Sequence, residues 1–351
     1  MPRHGGRLQQ RMHVMIDAGR EVHLVAWPRG VPKKSDFAVV EAPVVAPQAG
    51  QIVVRNAWLS VDPYMRGRMR DAKSYVPPFQ LGQPMDGGAV GEVISSRDAA
   101  VPVGSTVLHG LGWREYATVN AKTARVVDPT AAPASAYLSV LGMTGLTAYT
   151  GLKVIAPVKQ GDIVFISGAA GAVGIAAGVL ARELGASKVI GSAGGPQKAA
   201  RLVNEFGYDA AIDYRAGDLS GQLARLAPDG IDVYLDNVGG DHLRAAIQSL
   251  RRNGRAALCG AISGYNAETP TPGPDNLFLA ISKRLSLRGY IVSDHNDLYP
   301  EYTALATRLL AEGKLKEHRT VVIGIDNAVE GFIGMLGGSN TGKMLIHLNQ
   351  A

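Results

Sequence analysis

Three observations predict an α/β fold in which a parallel-sheet unit is set inside a second, β-rich one. From about Val22 to Val127 the chain reads as strands separated by closely spaced turns. From Asp162 onward, strand-length apolar runs alternate with helix-length segments, the pattern of right-handed βαβ units. Beyond a helix expected near Tyr299 to Glu312, the chain changes again to what reads as a separate module. The resulting division assigns 21–141 and 297–351 to the β-rich unit and 142–296 to the parallel sheet. Residues 1–20 are expected to be a flexible leader or an over-long start.

The elements follow in order. "QIVVRNAWLSVDP" and "GGAVGEVISS" read as strands, and "PVGSTVLHGLGWREYATV" as a further turn–strand pair. After Pro133, "APASAYLSVLGMTGLTAYTGLKVI" places small and apolar residues at helical spacing, interrupted by Gly142 and Gly145. "DIVFIS" is then a strand, Ala172 to Leu184 a helix, "SKVIGSA" a strand and "PQKAARLVNEF" a helix. "AAIDY", "IDVYLDNVG" and "RAALCGAIS" continue the strands, with "SGQLARLA" and "DHLRAAIQSLRR" as helices between them. "LSLRGYIV" adds another strand, and "RTVVIG", "NAVEGFIGML" and "KMLIHL" make up the closing module.

Composition narrows the function. With 46% hydrophobic and 19% charged residues, the 351-residue chain suits a globular fold with a sizeable core. The net charge of +6 is mild, and no Lys/Arg stripe interleaved with aromatics points to nucleic acid. Cys259 is the single cysteine, so neither an intramolecular disulfide nor a cysteine-based zinc site can form, in keeping with a reducing cytoplasm. No segment has the length of a membrane span, and no signal-peptide core is expected near the start.

"GAAGAVG", Gly168 to Gly174, sits between a strand and a helix. Ala169 replaces the first glycine of the usual dinucleotide fingerprint. Gly171 lets the backbone approach a pyrophosphate, Gly174 lets the helix pack closely, and the helix N-terminus offers free N–H groups. About 20 residues on, such sites place an acid for the adenine-ribose 2′-hydroxyl. Here stand Gly194 and Gly195, then Lys198, with Tyr214 at the end of the next strand. An uncharged, open position tolerates a 2′-phosphate, and a lysine can neutralise it. Lys198 alone would read as a solvated surface residue; the missing acid carries the argument for NADPH over NADH.

These residues, with "VDPYMRGRM", "GMTGLTAYTGL", "DNVGG", "CGAISGYN" and "GGSNTGKML", resemble the zinc-independent medium-chain dehydrogenase/reductases. Within them the resemblance is to the prostaglandin reductase and alkenal double-bond reductase branch. It runs from roughly Val22 to Leu348, and "VDPYMR" with "CGAIS-x-YN" is its most specific part. It implies a Rossmann dinucleotide-binding domain inserted in a GroES-like β-rich catalytic domain, with the cofactor in the cleft between them. Carried over by position, Gly171, Ala172, Val173 and Gly174 would hold the pyrophosphate, and Lys198 and Tyr214 the 2′-phosphate side. Asn237, Cys259, Gly260, Ala261, Ile262, Ser263, the backbone of Tyr290, Ile291 and Val292, and Asn340 would line the rest. The resemblance also implies a homodimer joined through the strand around Leu287 to Val292.

Zinc-dependent relatives carry a catalytic cysteine and a Gly-His-Glu stretch where this chain reads "VDPYM" and "QPMDGGAVG". No metal site is therefore expected, and alcohol oxidation would lack its usual Lewis acid. That favours reduction of a C=C bond in an α,β-unsaturated ketone or aldehyde. Hydride goes to the β-carbon, and a donor stabilises the enolate oxygen. Tyr265, beside the expected nicotinamide site, and Tyr64, in the "DPYM" turn, are the candidate donors; for each the alternative is a packed ring with a satisfied hydroxyl. Asp86 reads as a turn residue and Cys259 as strand-end packing. A quinone reductase and a non-catalytic NADPH-binding protein are the competing readings.

Overall fold

The computed structural model describes residues 17–348. The leader expected over 1–20 lies outside the described residues up to position 16, and its last residues are not a leader. Ala18, Gly19 and Arg20 begin strand β1 (Ala18–Leu24), where they pair with Pro43, Ala42 and Glu41 of β2 (Phe37–Pro43). The pairing gives their backbone groups partners, and Arg20 adds an ion pair to Glu115.

The first unit continues with β3 (Gln51–Ser60), the short helix α1 (Tyr64–Arg68), β4 (Gln83–Pro84), β5 (Ala89–Ser96), β6 (Thr106–His109), β7 (Tyr116–Asn120) and β8 (Arg125–Val126). In β6, Val107 and His109 are buried while their neighbours are partly exposed, the period-two signature of a strand with one face in the core. Helix α2 (Met143–Thr150) follows and is buried almost throughout.

The alternation predicted from Asp162 is present. It comprises β9 (Ile163–Ile166), α3 (Ala172–Glu183), β10 (Lys188–Ala193), α4 (Pro196–Asn204), β11 (Ala210–Asp213), α5 (Leu219–Leu226), β12 (Ile231–Asp236), α6 (Gly240–Ser249) and β13 (Leu250–Leu258). A short helix that the sequence did not announce, α7 (Phe278–Lys283), precedes β14 (Ser286–Gly289). These strands form one parallel sheet ordered β11-β10-β9-β12-β13-β14. Val164, Phe165 and Ile166 in β9 are all fully buried because helices cover both faces. The order reverses between β9 and β12, so the connections leaving their carboxyl ends run to opposite sides and leave the crevice where such sheets bind ligands.

Helix α8 (Tyr299–Ala311) leads to β15 (Arg319–Ile323), α9 (Ala328–Leu336) and β16 (Lys343–His347). Strand β16 lies antiparallel to β3, with Leu345 opposite Ser60, so the chain's end rejoins the first sheet. The division at 141 and 297 needs moving outward at both ends. Tyr302, Ala306 and Leu309 of α8 are buried in one cluster with Ala176, Ala177 and Leu180 of α3, and Ala136, Val140 and Leu141 contribute to the same core. The fastening is specific: Tyr149 Oη donates to Glu301 Oε1 at 2.6 Å, and Tyr302 Oη donates to the carbonyl of Val140.

Candidate active site

A cavity of about 1100 Å³ opens between the two units. The turn after β9 forms part of its wall. Gly171 is the N-cap of α3 and offers no side chain to the first N–H groups of the helix, which remain available to an anion. A Cβ on Gly174 would stand 2.5 Å from Ala169 Cα, so only glycine lets the helix start this close to the turn. Gly171, Ala172, Val173 and Gly174 all line the cavity.

Where an acid was missing from the sequence, the structure also shows why no side chain fits without rearrangement. A Cβ on Gly194 would lie 2.7 Å from Tyr214 Oη and 2.9 Å from Arg215 Nε. Arg215 was not picked out from the sequence, where it is one of 36 basic residues and only folding brings it to Gly194. The nearby acid, Asp213, is occupied: its Oδ1 accepts the N–H groups of Gly195 at 2.8 Å and of Arg215 at 3.0 Å. Lys198 lines the cavity as expected, but its Nζ donates to the carbonyl oxygens of Gly338 and Asn340, each at 2.6 Å. Burial, with Arg215 and Arg201 close by, lowers its pKa. His242 is a second residue that the sequence did not single out. Its buried ring lines the cavity, meets the Tyr214 ring edge-on at 5.1 Å, and leaves Nε2 without a partner.

The two candidate donors come from different units. Tyr64 opens α1, and Tyr265 follows the helical turn Ile262–Gly264; both line the cavity. Burial, joined by the negative charge of Asp62, pushes the Tyr64 phenol well above its ordinary range. Burial likewise raises Tyr265. Both are therefore protonated donors at neutral pH. Tyr265 Oη makes one long contact, 3.4 Å from the N–H of Ala261. The loop carrying it is clasped from α1 and the residues after it. Arg66 Nε donates to Asn266 Oδ1 at 3.0 Å, and Arg70 donates to the carbonyl of Tyr265 at 2.6 Å. Tyr75 joins the two at the cavity wall.

Below Tyr64 lies a buried ion pair. Lys343 Nζ reaches Asp62 Oδ1 at 2.6 Å and the carbonyl of Val61 at 2.7 Å, and Ser60 Oγ donates to the other carboxylate oxygen of Asp62.

Of the remaining expected residues, Asn237, Cys259, Gly260, Ile262, Ser263, Tyr290, Ile291, Val292 and Asn340 line the cavity. Ala261 does not: its methyl turns toward Gly239, where a Cβ would lie 3.3 Å away, and only its N–H faces Tyr265. The side-chain amide of Asn237 donates to the carbonyl of Ser167 on the neighbouring strand, and that of Asn340 to the carbonyl of Gly342. Burial raises the Cys259 thiol to about 11, which keeps it un-ionised, and Asp86 holds the Arg68 guanidinium. Among the described residues, no three His, Cys, Asp or Glu side chains converge as a metal site, and no helix is long and apolar enough to cross a membrane.

Two family profiles match the chain: an N-terminal domain of oxidoreductase over residues 20–127, and a zinc-binding dehydrogenase over residues 172–308. A 2-alkenal reductase (NADP(+)-dependent) of Nicotiana tabacum is 38% identical over 339 residues, covering 95% of this chain and 98% of that protein. An NADPH-dependent curcumin reductase of Escherichia coli is 36% identical, covering 93% and 95%. The crystal structure of CurA from Vibrio vulnificus in complex with NADPH superposes with a TM-score of 0.90 at 38% identity, covering 95% of this chain and all of that one. With the inserted parallel sheet and the interdomain cavity already in place, these matches establish that the chain belongs to the medium-chain dehydrogenase/reductase family of oxidoreductases.

Proposed function

We propose that this protein is an NADPH-dependent reductase of the C=C bond in α,β-unsaturated ketones and aldehydes, acting without a bound metal. One observation carries the reading. Two partly buried, protonated tyrosines, Tyr64 and Tyr265, reach from separate units into a cavity that also contains an acid-free wall at Gly194. Sequence relatives with alkenal and curcumin reductase names support it.

The residues present suit a dinucleotide phosphate. The uncapped start of α3 takes the pyrophosphate, and the acid-free wall at Gly194, beside Lys198 and Tyr214, takes the 2′-phosphate. When bound, the cofactor supplies the hydride. The protein's part is to orient the enone, exclude water and place a donor where negative charge develops on the carbonyl oxygen. Tyr265 fits that task because its hydroxyl has a single weak contact to give up. Tyr64 serves as the second donor. Cys259, un-ionised, and Asp86, paired with Arg68, take no part in proton transfer.

The reading includes a homodimer. Strand β14 ends the parallel sheet with an open edge, and beside it α7 exposes Phe278 and Ile281, 66% and 83% accessible. A panel of enones, enals and quinones, scored by NADPH consumption and product identity, tests the function. Saturated ketones and aldehydes as products support it. Quinols alone would mark a quinone reductase, and no turnover a binding protein.

A further inference from the structure

Arg66, on α1, is 1% exposed and does not line the cavity, yet it joins three separate stretches of chain. Its Nη2 donates to the carbonyls of Pro28 and Gly30, at 3.3 and 2.8 Å, in the connection between β1 and β2. Its Nε donates to Asn266 Oδ1 at 3.0 Å, one residue beyond Tyr265. Among the described residues it has no carboxylate partner, and its Nη1 makes no hydrogen bond. Burying a guanidinium without a counter-ion is costly, and an apolar side chain would fill the same space without that penalty. What the bonds of Arg66 supply is geometry.

The loop that carries Tyr265 is anchored to a different unit at each end. Ser263 ties its start to the parallel-sheet unit, its Oγ donating to the carbonyl of Val238 at 2.6 Å. Asn266 ties its other end to the β-rich unit through Arg66, and the exposed Arg70 adds a bond to the Tyr265 carbonyl. Gly30 eases this second anchorage. A Cβ there would lie 2.9 Å from Glu268 Oε1, and its φ of +65° is one that suits glycine. The Tyr265 hydroxyl has only its long contact to Ala261, so the two anchors of the loop decide where it points.

We propose that Arg66 is a positioning residue for the reaction. By fixing Asn266 it sets the reach of the Tyr265 hydroxyl toward the carbonyl oxygen of a bound enone. That reach then depends on the unit that carries Tyr64, so the two donors are held in register across the cavity. The proposal rests on the reading of Tyr265 as a donor, and its test separates the two.

Replacing Arg66 would also free the carbonyls of Pro28 and Gly30, so the substitution is made on the loop side. Asn266→Ala removes the acceptor and should lower kcat for enone reduction about 10- to 100-fold, with a smaller change in KM. NADPH affinity, read by fluorescence titration, should stay at the wild-type value and so report a folded variant. Asn266→Asp restores an acceptor for Arg66 and should recover most of the loss. In a Tyr265→Phe background there is no hydroxyl to misplace, and Asn266→Ala should change kcat by less than about twofold. Wild-type kcat in Tyr265→Phe alone would remove the donor reading and this proposal with it. With Tyr265→Phe slow, the positioning role by itself is overturned by any of three results: wild-type kcat in Asn266→Ala, an aspartate as slow as the alanine, or an undiminished alanine effect in the Tyr265→Phe background.

Discussion

Placing an aspartate at Gly194 should turn the cofactor preference over, and the structure allows the size of the effect to be worked out. Gly194 has an ordinary backbone conformation, so the substitution is limited only by its neighbours. Tyr214 Oη and Arg215 Nε, at 2.7 and 2.9 Å from the new Cβ, must each withdraw by roughly 0.5–1 Å to reach normal separation. Both are the far parts of exposed side chains, so the fold should lose less than about 1 kcal/mol. Gly194→Ala tests that displacement alone and should weaken NADPH about 3- to 10-fold. Gly194→Asp adds a carboxylate beside the place proposed for the 2′-phosphate, and like charges about 4–5 Å apart at a partly screened surface cost about 2–4 kcal/mol. NADPH should then bind about 30- to 1,000-fold more weakly. NADH should bind as well as before or better, because the acid can accept the ribose 2′-hydroxyl. Fluorescence titration of both cofactors, with melting temperature as the check on folding, measures this. An aspartate variant that melts normally and keeps the wild-type preference would refute the placement of the phosphate beside Gly194.

Tyr265→Phe should lower kcat by about 10- to 1,000-fold, and more than it raises KM, with NADPH affinity unchanged; wild-type turnover of an enone would reduce the ring to a wall of the pocket. Enone reduction should survive exhaustive chelation, with no stoichiometric zinc by elemental analysis; loss with chelation and return with zinc would overturn metal independence. His109 supplies a pH prediction. Its Nδ1 accepts from Leu111 N–H, its Nε2 faces Asn56 Oδ1 at 2.8 Å, and burial lowers its pKa to about 3. The unfolded chain then takes up this proton near pH 6.5 and the folded one does not, so stability falls as pH drops, by about 2 kcal/mol between pH 6.5 and 5. Urea unfolding of His109→Gln over the same range should show a correspondingly flatter slope, and an identical slope would remove His109 as the cause. Ile281→Lys should shift the protein toward monomer in sedimentation if the α7 and β14 edge is the dimer contact.

Most elements and the class of site could be read locally, the short helices α1 and α7 excepted. Period-two burial in β6, the fully apolar run of β9 and the uncapped glycine start of α3 are local properties, decided by residues within a few positions of one another. The missing acid at Gly194 was equally legible, because the spacing from the glycine turn is set by one βαβ unit. Folding decided the rest. Helix α8 joins the parallel sheet's core because Tyr302 reaches Val140, a partner 162 positions away. Lys198 is latched by carbonyls 140 and 142 residues further on, and Lys343 meets Asp62 across 281. Arg215 and His242 carry no local signature at all; His242 lines the cavity and Arg215 stands behind Gly194 because the parallel strands bring the carboxyl ends of β10, β11 and β12 to one edge. Periodicity records which face of an element is buried. It does not record which distant element will cover that face, since that depends on how the two sheets pack around the cavity.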